Sequence, residues 1–230
     1  MATIDQTLHQ VRARVARACS AAHRDVQSVT LLAVSKTFGA DAIREAFTAG
    51  QRDFGENYVQ EALEKMSALA DLRGELRWHL IGALQSNKTR DAAQQFDWVH
   101  CIDRLKIAQR LSAQRPPDRP PLQLCIQVNV SGEASKSGVV PADAVALALG
   151  IAELPRERVR LRGLMSVPEP QQGFEAQRRP HRALRELLAA ANEQGLALDT
   201  LSMGMSADLE AAIHEGATIV RVGTAIFGSR

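Results

Sequence analysis

The chain alternates short apolar segments with amphipathic ones along most of its length. The apolar segments are short, have the length of strands and contain many aliphatic residues: 29–35, 52–55, 76–82, 97–102, 122–130, 159–167, 198–203 and 218–223. Between them the apolar residues recur at helical spacing, and several of these segments end in glycine: 40–50, 59–74, 104–114, 142–154, 182–195 and 207–216. The alternation predicts repeated βα units and therefore a parallel sheet covered by helices.

The number of strands favours one architecture over another. Eight strands followed by helices are what a closed (β/α)8 barrel of the TIM type requires. We expect a single domain over 1–230, with an extra N-terminal helix at 1–25 and the barrel at 29–230. An open doubly wound sheet is the alternative, but no glycine-rich loop follows the first strand to support it. The proline-rich stretch 115–121 is interpreted as a stiff helix-to-strand connection, because the alternation continues on both sides.

Composition and charge limit the classes of partner. The formal net charge is +2, which predicts neither nucleic-acid nor membrane binding. The three cysteines are widely spaced and form no C-x-x-C pair, so neither a disulfide framework nor a zinc or other metal site is predicted. The N-terminus lacks the continuous apolar core of a signal peptide, and no segment is long enough to cross a bilayer. We therefore expect a cytoplasmic protein, and a monomer.

The loops after the last two strands have the composition of an anion site. Barrels of this type often bind phosphate in the loops after strands seven and eight. Gly204 and Ser206 follow the seventh strand, and Gly223 and Thr224 follow the eighth. Small residues with hydroxyl groups and unpaired N–H groups at helix starts can bind an anion, so the spacing predicts a phosphate site.

Lys36 ends the first strand and points to a second kind of chemistry. Because side chains alternate along a strand, Lys36 shares a face with Val34, and Arg221 shares one with Gly223 on the eighth strand. The first and last strands are neighbours in a closed barrel, so Lys36 and Arg221 are expected to approach one another. A nearby cation and partial burial favour a neutral amine, which can form a Schiff base with an aldehyde. Together with a phosphate site this predicts pyridoxal 5′-phosphate (PLP); the alternative is a charged lysine at the barrel mouth.

Several stretches, taken together and in order, resemble one known family. They are LLAVSKT (31–37), FGENYVQE (54–61), WHLIGALQSNK (78–88), VHCIDR (99–104), QVNVSGEASKSG (127–138), LRGLMSVP (161–168), LSMGMSADLEAAI (201–213) and VRVGTAIFG (220–228). With them the chain is identified as a member of the pyridoxal phosphate homeostasis proteins, whose fold resembles the barrel domain of bacterial alanine racemase.

The resemblance implies the cofactor and its contacts. It implies that Lys36 carries PLP as a Schiff base and that Arg221 faces the pyridine nitrogen. It implies that the phosphate is held by Ser206, Gly223, Thr224 and the backbone of Met203, Gly204 and Met205. We also expect Asn57, at the end of the second strand, to line the pocket.

The sequence favours a cofactor carrier over an enzyme. PLP enzymes commonly place a carboxylate on the pyridine nitrogen, whereas arginine weakens the electron sink. A racemase also needs a second acid/base group, and we interpret Tyr58 as a packing or hydrogen-bonding residue and His79 and His100 as core residues. No catalytic residue is assigned. The resemblance implies a regulator that buffers PLP or delivers it to PLP-dependent apo-enzymes, with effects on amino-acid and keto-acid pools.

Two further functions and one further residue stay open at this point. A PLP-dependent racemase or lyase of low activity is the first alternative function, and a lysine Schiff-base aldolase without cofactor is the second. Lys136 lies in a loop between two glycines, and we hypothesise that it offers a second amine for loading or handing off the aldehyde.

Overall fold

The chain folds as a closed barrel of eight parallel strands that neighbour one another in sequence order. The structure, a computed structural model, describes residues 2–132 and 137–228. The strands are β1 (Thr30–Val34), β2 (Asp53–Glu56), β3 (Arg77–Leu80), β4 (Trp98–Ile102), β5 (Leu122–Gln127), β6 (Val159–Met165), β7 (Thr200–Ser202) and β8 (Ile219–Val222). Each lies inside or within one residue of its predicted segment, so the (β/α)8 prediction is confirmed.

Helices surround this barrel. In the described ranges they are α1 (Ile4–Ala21), α2 (Ala40–Thr48), α3 (Val59–Ala68), α4 (Thr89–Gln95), α5 (Leu105–Gln114), α6 (Pro141–Ala152), α7 (Phe174–Glu193), α8 (Leu209–His214) and α9 (Thr224–Phe227). None of them combines the length and apolar character that a bilayer crossing needs.

The N-terminal helix α1 covers the seam where the barrel closes. A capping box of Thr3 and Gln6 starts it, and Leu8, Val11 and Val15 on one face are buried. This face packs against α2, α8 and α9, which flank the paired strands β1 and β8. The extra helix therefore fills the gap between α8 and α2 in the outer ring.

Two helices differ from the sequence-based expectation. Helix α4 was not predicted, because its sequence TRDAAQQ offers only two buried alanines and Thr89 as an apolar stripe. Helix α7 begins at Phe174 rather than 182 and includes Pro180. Proline normally marks a boundary because it lacks the N–H that a helix uses. Here the face of α7 that includes His181 and Leu184 is buried against the barrel, and this packing favours a continuous helix.

Candidate functional site

A cavity of about 740 Å³ opens at the carboxyl end of the strands. We call it the barrel-mouth cavity, and its lining consists of Val34, Lys36, Thr37, Phe38, Asn57, Ile81, Val167, Met205, Ser206, Ala207, Arg221, Gly223, Thr224 and Gly228. Seven of the nine residues that the sequence singled out are in this lining: Lys36, Asn57, Met205, Ser206, Arg221, Gly223 and Thr224. The structure differs from expectation at Met203 and Gly204, which are not among the lining residues.

The pairing of β1 with β8 brings the two cations to one cavity. Leu32 is paired in register with Arg221, so Lys36 lies just beyond the carboxyl ends of both strands. The prediction that the first and last strands are adjacent is thereby confirmed. Lys36 is exposed, whereas Arg221 is only 4% exposed. The cavity therefore has an accessible amine at its edge and a buried guanidinium in its wall.

A tight turn carries Lys36. The Phe38 N–H donates to the Ser35 carbonyl at 3.0 Å, so Lys36 and Thr37 are the two central residues of a β-turn. Thr37 has φ 73°, which a β-branched residue adopts at a cost. Its N–H donates to Glu61 Oε1.

The loops after β7 and β8 present unpaired backbone donors to the cavity. Among the described residues, no hydrogen bond uses the N–H groups of Ser206, Ala207 or Thr224, and all three residues line the cavity. The hydroxyl groups of Ser206 and Thr224 add two further donors. Such a group of N–H and O–H donors is suited to an anion.

The backbone at 203–205 contributes less than expected to this donor group. The Met203 N–H is used by the Ile219 carbonyl at 3.1 Å, and the Met205 N–H donates to Asp208 Oδ1 at 2.7 Å. Gly204 has φ 89°, and a Cβ there would lie 2.5 Å from Ala212 Cβ. These three residues therefore shape the loop that presents Ser206, rather than offering several free donors of their own.

Helix α1 supports the same loop from outside the barrel. Arg14 donates through NH1 to the Ser206 carbonyl at 2.7 Å. The same guanidinium makes two hydrogen bonds with Glu210, at 2.5 and 2.6 Å. Ser206 is thus fixed through its carbonyl, which leaves its N–H and hydroxyl for the cavity.

Arg221 is a buried cation, and its hydrogen-bond partners among the described residues are uncharged. NH1 donates to Ser202 O at 2.6 Å and to Ser202 Oγ at 2.7 Å, and NH2 donates to Ser166 O at 2.7 Å. Burial lowers the pKa of Arg221 to about 10, while Asp208 and Cys125 partly oppose the shift. Its charge therefore remains available to a group in the cavity.

Hydrogen bonds continue from this arginine through the barrel interior. His100 Nδ1 lies 2.9 Å from Ser202 Oγ; beyond it, His79 lies between His100 and Asp53. The two histidines are 0% and 1% exposed, so their interpretation as core residues is confirmed. The expectation that Tyr58 packs is wrong, because its side chain is 63% exposed, and it is not part of the cavity lining.

Sequence reasoning missed several apolar lining residues. Phe38 stacks on Phe227 of α9 with ring centroids 5.1 Å apart, and Ile81 and Val167 complete the wall. Only their positions just after strand ends could have indicated this role. Lys136, the hypothesised second amine, lies outside the described residues.

Comparisons with known proteins agree along the whole chain. The family described as alanine racemase, N-terminal domain, matches residues 7–230. A pyridoxal phosphate homeostasis protein of Pseudomonas aeruginosa is 60% identical over 230 residues, covering 100% of this chain and 97% of that protein. Its namesake from Escherichia coli K12 is 50% identical over 231 residues, covering 100% and 98%. The structure of PipY from Synechococcus elongatus with PLP bound superposes with a TM-score of 0.84 at 39% identity, covering 98% of this chain and 100% of that chain.

Proposed function

Because the chain belongs to the pyridoxal phosphate homeostasis protein family, within the alanine racemase N-terminal domain family, we propose that it binds PLP in the barrel-mouth cavity and takes part in PLP homeostasis. In this proposal Lys36 is the attachment point, and the protein buffers PLP in the cytoplasm or delivers it to PLP-dependent apo-enzymes. It acts as a carrier, and as a monomer.

One observation supports the proposal above the others: an accessible lysine and a set of unpaired N–H donors face the same cavity. Lys36, Ser206, Ala207 and Thr224 all line it, and the N–H groups of the last three donate to no other described residue. A phosphorylated aldehyde needs both an amine and an anion site. The residues present therefore fit PLP.

Each of these residues has a distinct task. When bound, PLP would supply an aldehyde, a group that condenses reversibly with amines, and Lys36 would be the amine that holds it. Ser206 and Thr224 would hold the phosphate by hydrogen bonds from N–H and O–H groups. Arg221 contributes a fixed positive charge that disfavours a second proton nearby, because Ser202 and Ser166 hold its guanidinium in place.

The composition of the lining favours a carrier over a racemase or lyase. Of the described residues around the cavity, only Lys36 and Arg221 have acid/base side chains. Proton removal and return on opposite faces of a substrate carbon need two acid/base groups. Arg221 is held by carbonyl groups and keeps its proton at neutral pH, since burial lowers its pKa only to about 10. With Lys36 as the single acid/base group that can exchange a proton, the cavity is better suited to reversible attachment of PLP than to racemisation of an amino acid.

Spectroscopy and mass mapping test the attachment. We expect the purified protein mixed with PLP to gain a visible absorbance band, and borohydride to fix the label on the peptide that contains Lys36. Lys36→Ala should lose the band, whereas Lys106→Ala, a lysine on α5 outside the cavity lining, should keep it. Label on another lysine in the parent protein would contradict the proposed attachment.

An exchange assay tests the carrier role. We expect the loaded protein to leave the α-proton of free amino acids unexchanged in deuterated solvent over the time in which it transfers PLP to an apo-enzyme. Sustained exchange with any amino acid in a panel would favour the racemase or lyase instead. Analytical ultracentrifugation of the PLP-loaded protein tests whether it is a monomer in solution.

A further inference from the structure

A second lysine, Lys65, is buried directly behind the turn that carries Lys36. It belongs to α3 and is 6% exposed. Its ammonium group donates to Ser35 O at 2.8 Å, Glu56 Oε1 at 2.8 Å and Glu61 Oε1 at 2.7 Å. An ammonium group has three N–H donors, so each of them has an acceptor.

These contacts hold the turn on both sides of Lys36. On the N-terminal side, the Ser35 carbonyl accepts from Lys65, and the Ser35 hydroxyl donates to Glu56 at 2.6 Å. On the C-terminal side, the Thr37 N–H donates to Glu61. The same Glu61 oxygen binds both Thr37 and Lys65, so the contacts form one connected unit.

The turn needs this support because of Thr37. With φ 73° at its third residue and without positive φ at Lys36, the turn is of type II, in which that position favours glycine or asparagine. Threonine occupies it at a cost in free energy. Without the acceptor on its N–H, Thr37 would relax toward negative φ, and the rotation would redirect Lys36.

We propose that Lys65 and Glu61 are positioning residues for Lys36, and that they hold the strained turn so that its amine faces the barrel-mouth cavity. Lys65 itself is kept from reacting with an aldehyde, since its nitrogen is surrounded by two carboxylates and a carbonyl. The inference rests on the proposed function, because it concerns how the attachment site is built.

The test compares two ligands that differ only at the reacting carbon. PLP has an aldehyde, whereas pyridoxine 5′-phosphate has an alcohol and cannot bond to Lys36. We expect Glu61→Ala to weaken PLP binding by about tenfold, the size expected from the strain at Thr37. It should leave pyridoxine 5′-phosphate binding unchanged, because the phosphate loops are untouched. Glu64→Ala, at an exposed position one turn along α3, is the matched control and should change neither.

A rescue variant separates positioning from general damage. Glycine adopts positive φ without strain, so Thr37→Gly in the Glu61→Ala background should recover most of the PLP affinity. Glu61→Gln is a milder second variant that keeps an oxygen for the Thr37 N–H, and we expect a loss of about threefold for PLP alone. Borohydride labelling should remain on Lys36 throughout.

The outcomes distinguish the inference from the function on which it rests. Equal PLP affinity in the parent and Glu61→Ala overturns the positioning role, as does a parallel loss of both ligands in either Glu61 variant, or a lack of rescue by Thr37→Gly. If the parent protein binds pyridoxine 5′-phosphate but forms no bond with PLP, the proposed attachment fails instead, and this inference fails with it.

Discussion

His79 Nδ1 lies 3.0 Å from His100 Nε2 inside the barrel, and the neighbours of this pair decide which nitrogen carries the hydrogen. Ser202 Oγ accepts from Arg221 at 2.7 Å, so its hydroxyl is free to donate to His100 Nδ1 at 2.9 Å. A neutral His100 then carries its hydrogen on Nε2 and donates to His79. His79 in turn donates from Nε2 to Asp53 at 3.1 Å.

The first prediction concerns these tautomers. We expect each ring to carry a hydrogen on Nε2, because an ionised Asp53 at one end and the Ser202 hydroxyl at the other favour that direction of donation. Nitrogen-15 chemical shifts of selectively labelled histidine measure it directly. A hydrogen on Nδ1 of either ring would contradict the proposed direction of donation from Ser202 through His100 and His79 to Asp53.

The second prediction is a pH dependence of stability that originates at His100. Burial, with smaller contributions from His79 and Arg221, lowers the pKa of His100 well below its usual value of 6.5. Below about pH 6.5 the unfolded chain therefore binds a proton at His100 that the folded chain does not bind. The free energy of unfolding falls as the pH drops through this range, by up to roughly 1.4 kcal/mol per pH unit. Urea unfolding between pH 7.5 and 5 checks the slope.

His100→Gln removes that titration. We expect a less stable protein with a flatter pH profile over the same range. His9→Gln, on the exposed side of α1, should keep the slope of the parent. Identical slopes in the parent and His100→Gln would contradict the assignment.

The third prediction concerns Asp53 at the amino end of the barrel. Burial raises the pKa of Asp53, but hydrogen bonds from Arg77 and His79 outweigh it and lower the value from 3.8 to about 2. The ionised group therefore stabilises the fold above pH 4, and this contribution is lost as pH falls toward 2. Asp53→Asn should cost about 2 kcal/mol at pH 7.

Chemical unfolding of Asp53→Asn at pH 7 and at low pH measures that cost. The difference from the parent should shrink as the medium becomes acidic. Asp71→Asn removes a carboxylate from an exposed pair with Arg44 and should change the midpoint little. An equally small effect of Asp53→Asn would contradict the expectation that the hydrogen bonds of Asp53 with Arg77 and His79 stabilise the fold.

The fourth prediction concerns the loop that presents Ser206. Gly204→Ala would place a Cβ 2.5 Å from Ala212 Cβ at φ 89°, which adds a steric clash to backbone strain. Gly195→Ala has nearly the same φ, 88°, but nothing within 4 Å of the new Cβ. We expect about 1–2 kcal/mol of lost stability at Gly195 and clearly more at Gly204, with weakened PLP binding only at Gly204. Equal losses would mean that the loop adjusts to the clash.

The fifth prediction tests the anion site. Ser206→Ala combined with Thr224→Val removes two hydroxyl donors, each contributing about 1 kcal/mol. We expect PLP to bind at least tenfold more weakly, while pyridoxal, which lacks the phosphate, binds as before. Ser67→Ala, on the exposed side of α3, is the control. An equal loss of pyridoxal affinity would show that Ser206 and Thr224 do not act through the phosphate group.

The placement of Lys36 and Arg221 in one cavity could be predicted because it depends only on strand geometry and on the number of βα units. Strand side chains alternate with a period of two, and eight βα units bring the first strand beside the last. Both rules act on the backbone, so Val34, Lys36 and Gly223 reach the cavity lining as expected. The same rules do not say which N–H groups stay unpaired, and Met205 was therefore overestimated as a donor.

Charged residues buried by tertiary contacts could not be predicted in this way. Arg115 follows α5 in a proline-rich stretch interpreted as a simple connection, yet it is only 2% exposed. Its guanidinium donates to the carbonyls of Ala93, Phe96 and Pro120. Lys65 falls in the same class for two of its three partners, because Ser35 follows β1 and Glu56 belongs to β2, whereas Glu61 lies four residues earlier on the same helix. Nothing in the sequence next to Arg115 or Lys65 indicates the distant partners, because these groups meet only after the barrel has closed.

The closure of β1 against β8 also has a consequence for biosynthesis. Lys36 leaves the ribosome well before Arg221 on β8 and Thr224 on α9, which line the same cavity. A nascent chain that lacks β8 therefore has the amine of Lys36 without the cavity that would receive the ligand. In the proposed site, capture of the ligand has to wait until β8 has been synthesised and has closed the barrel.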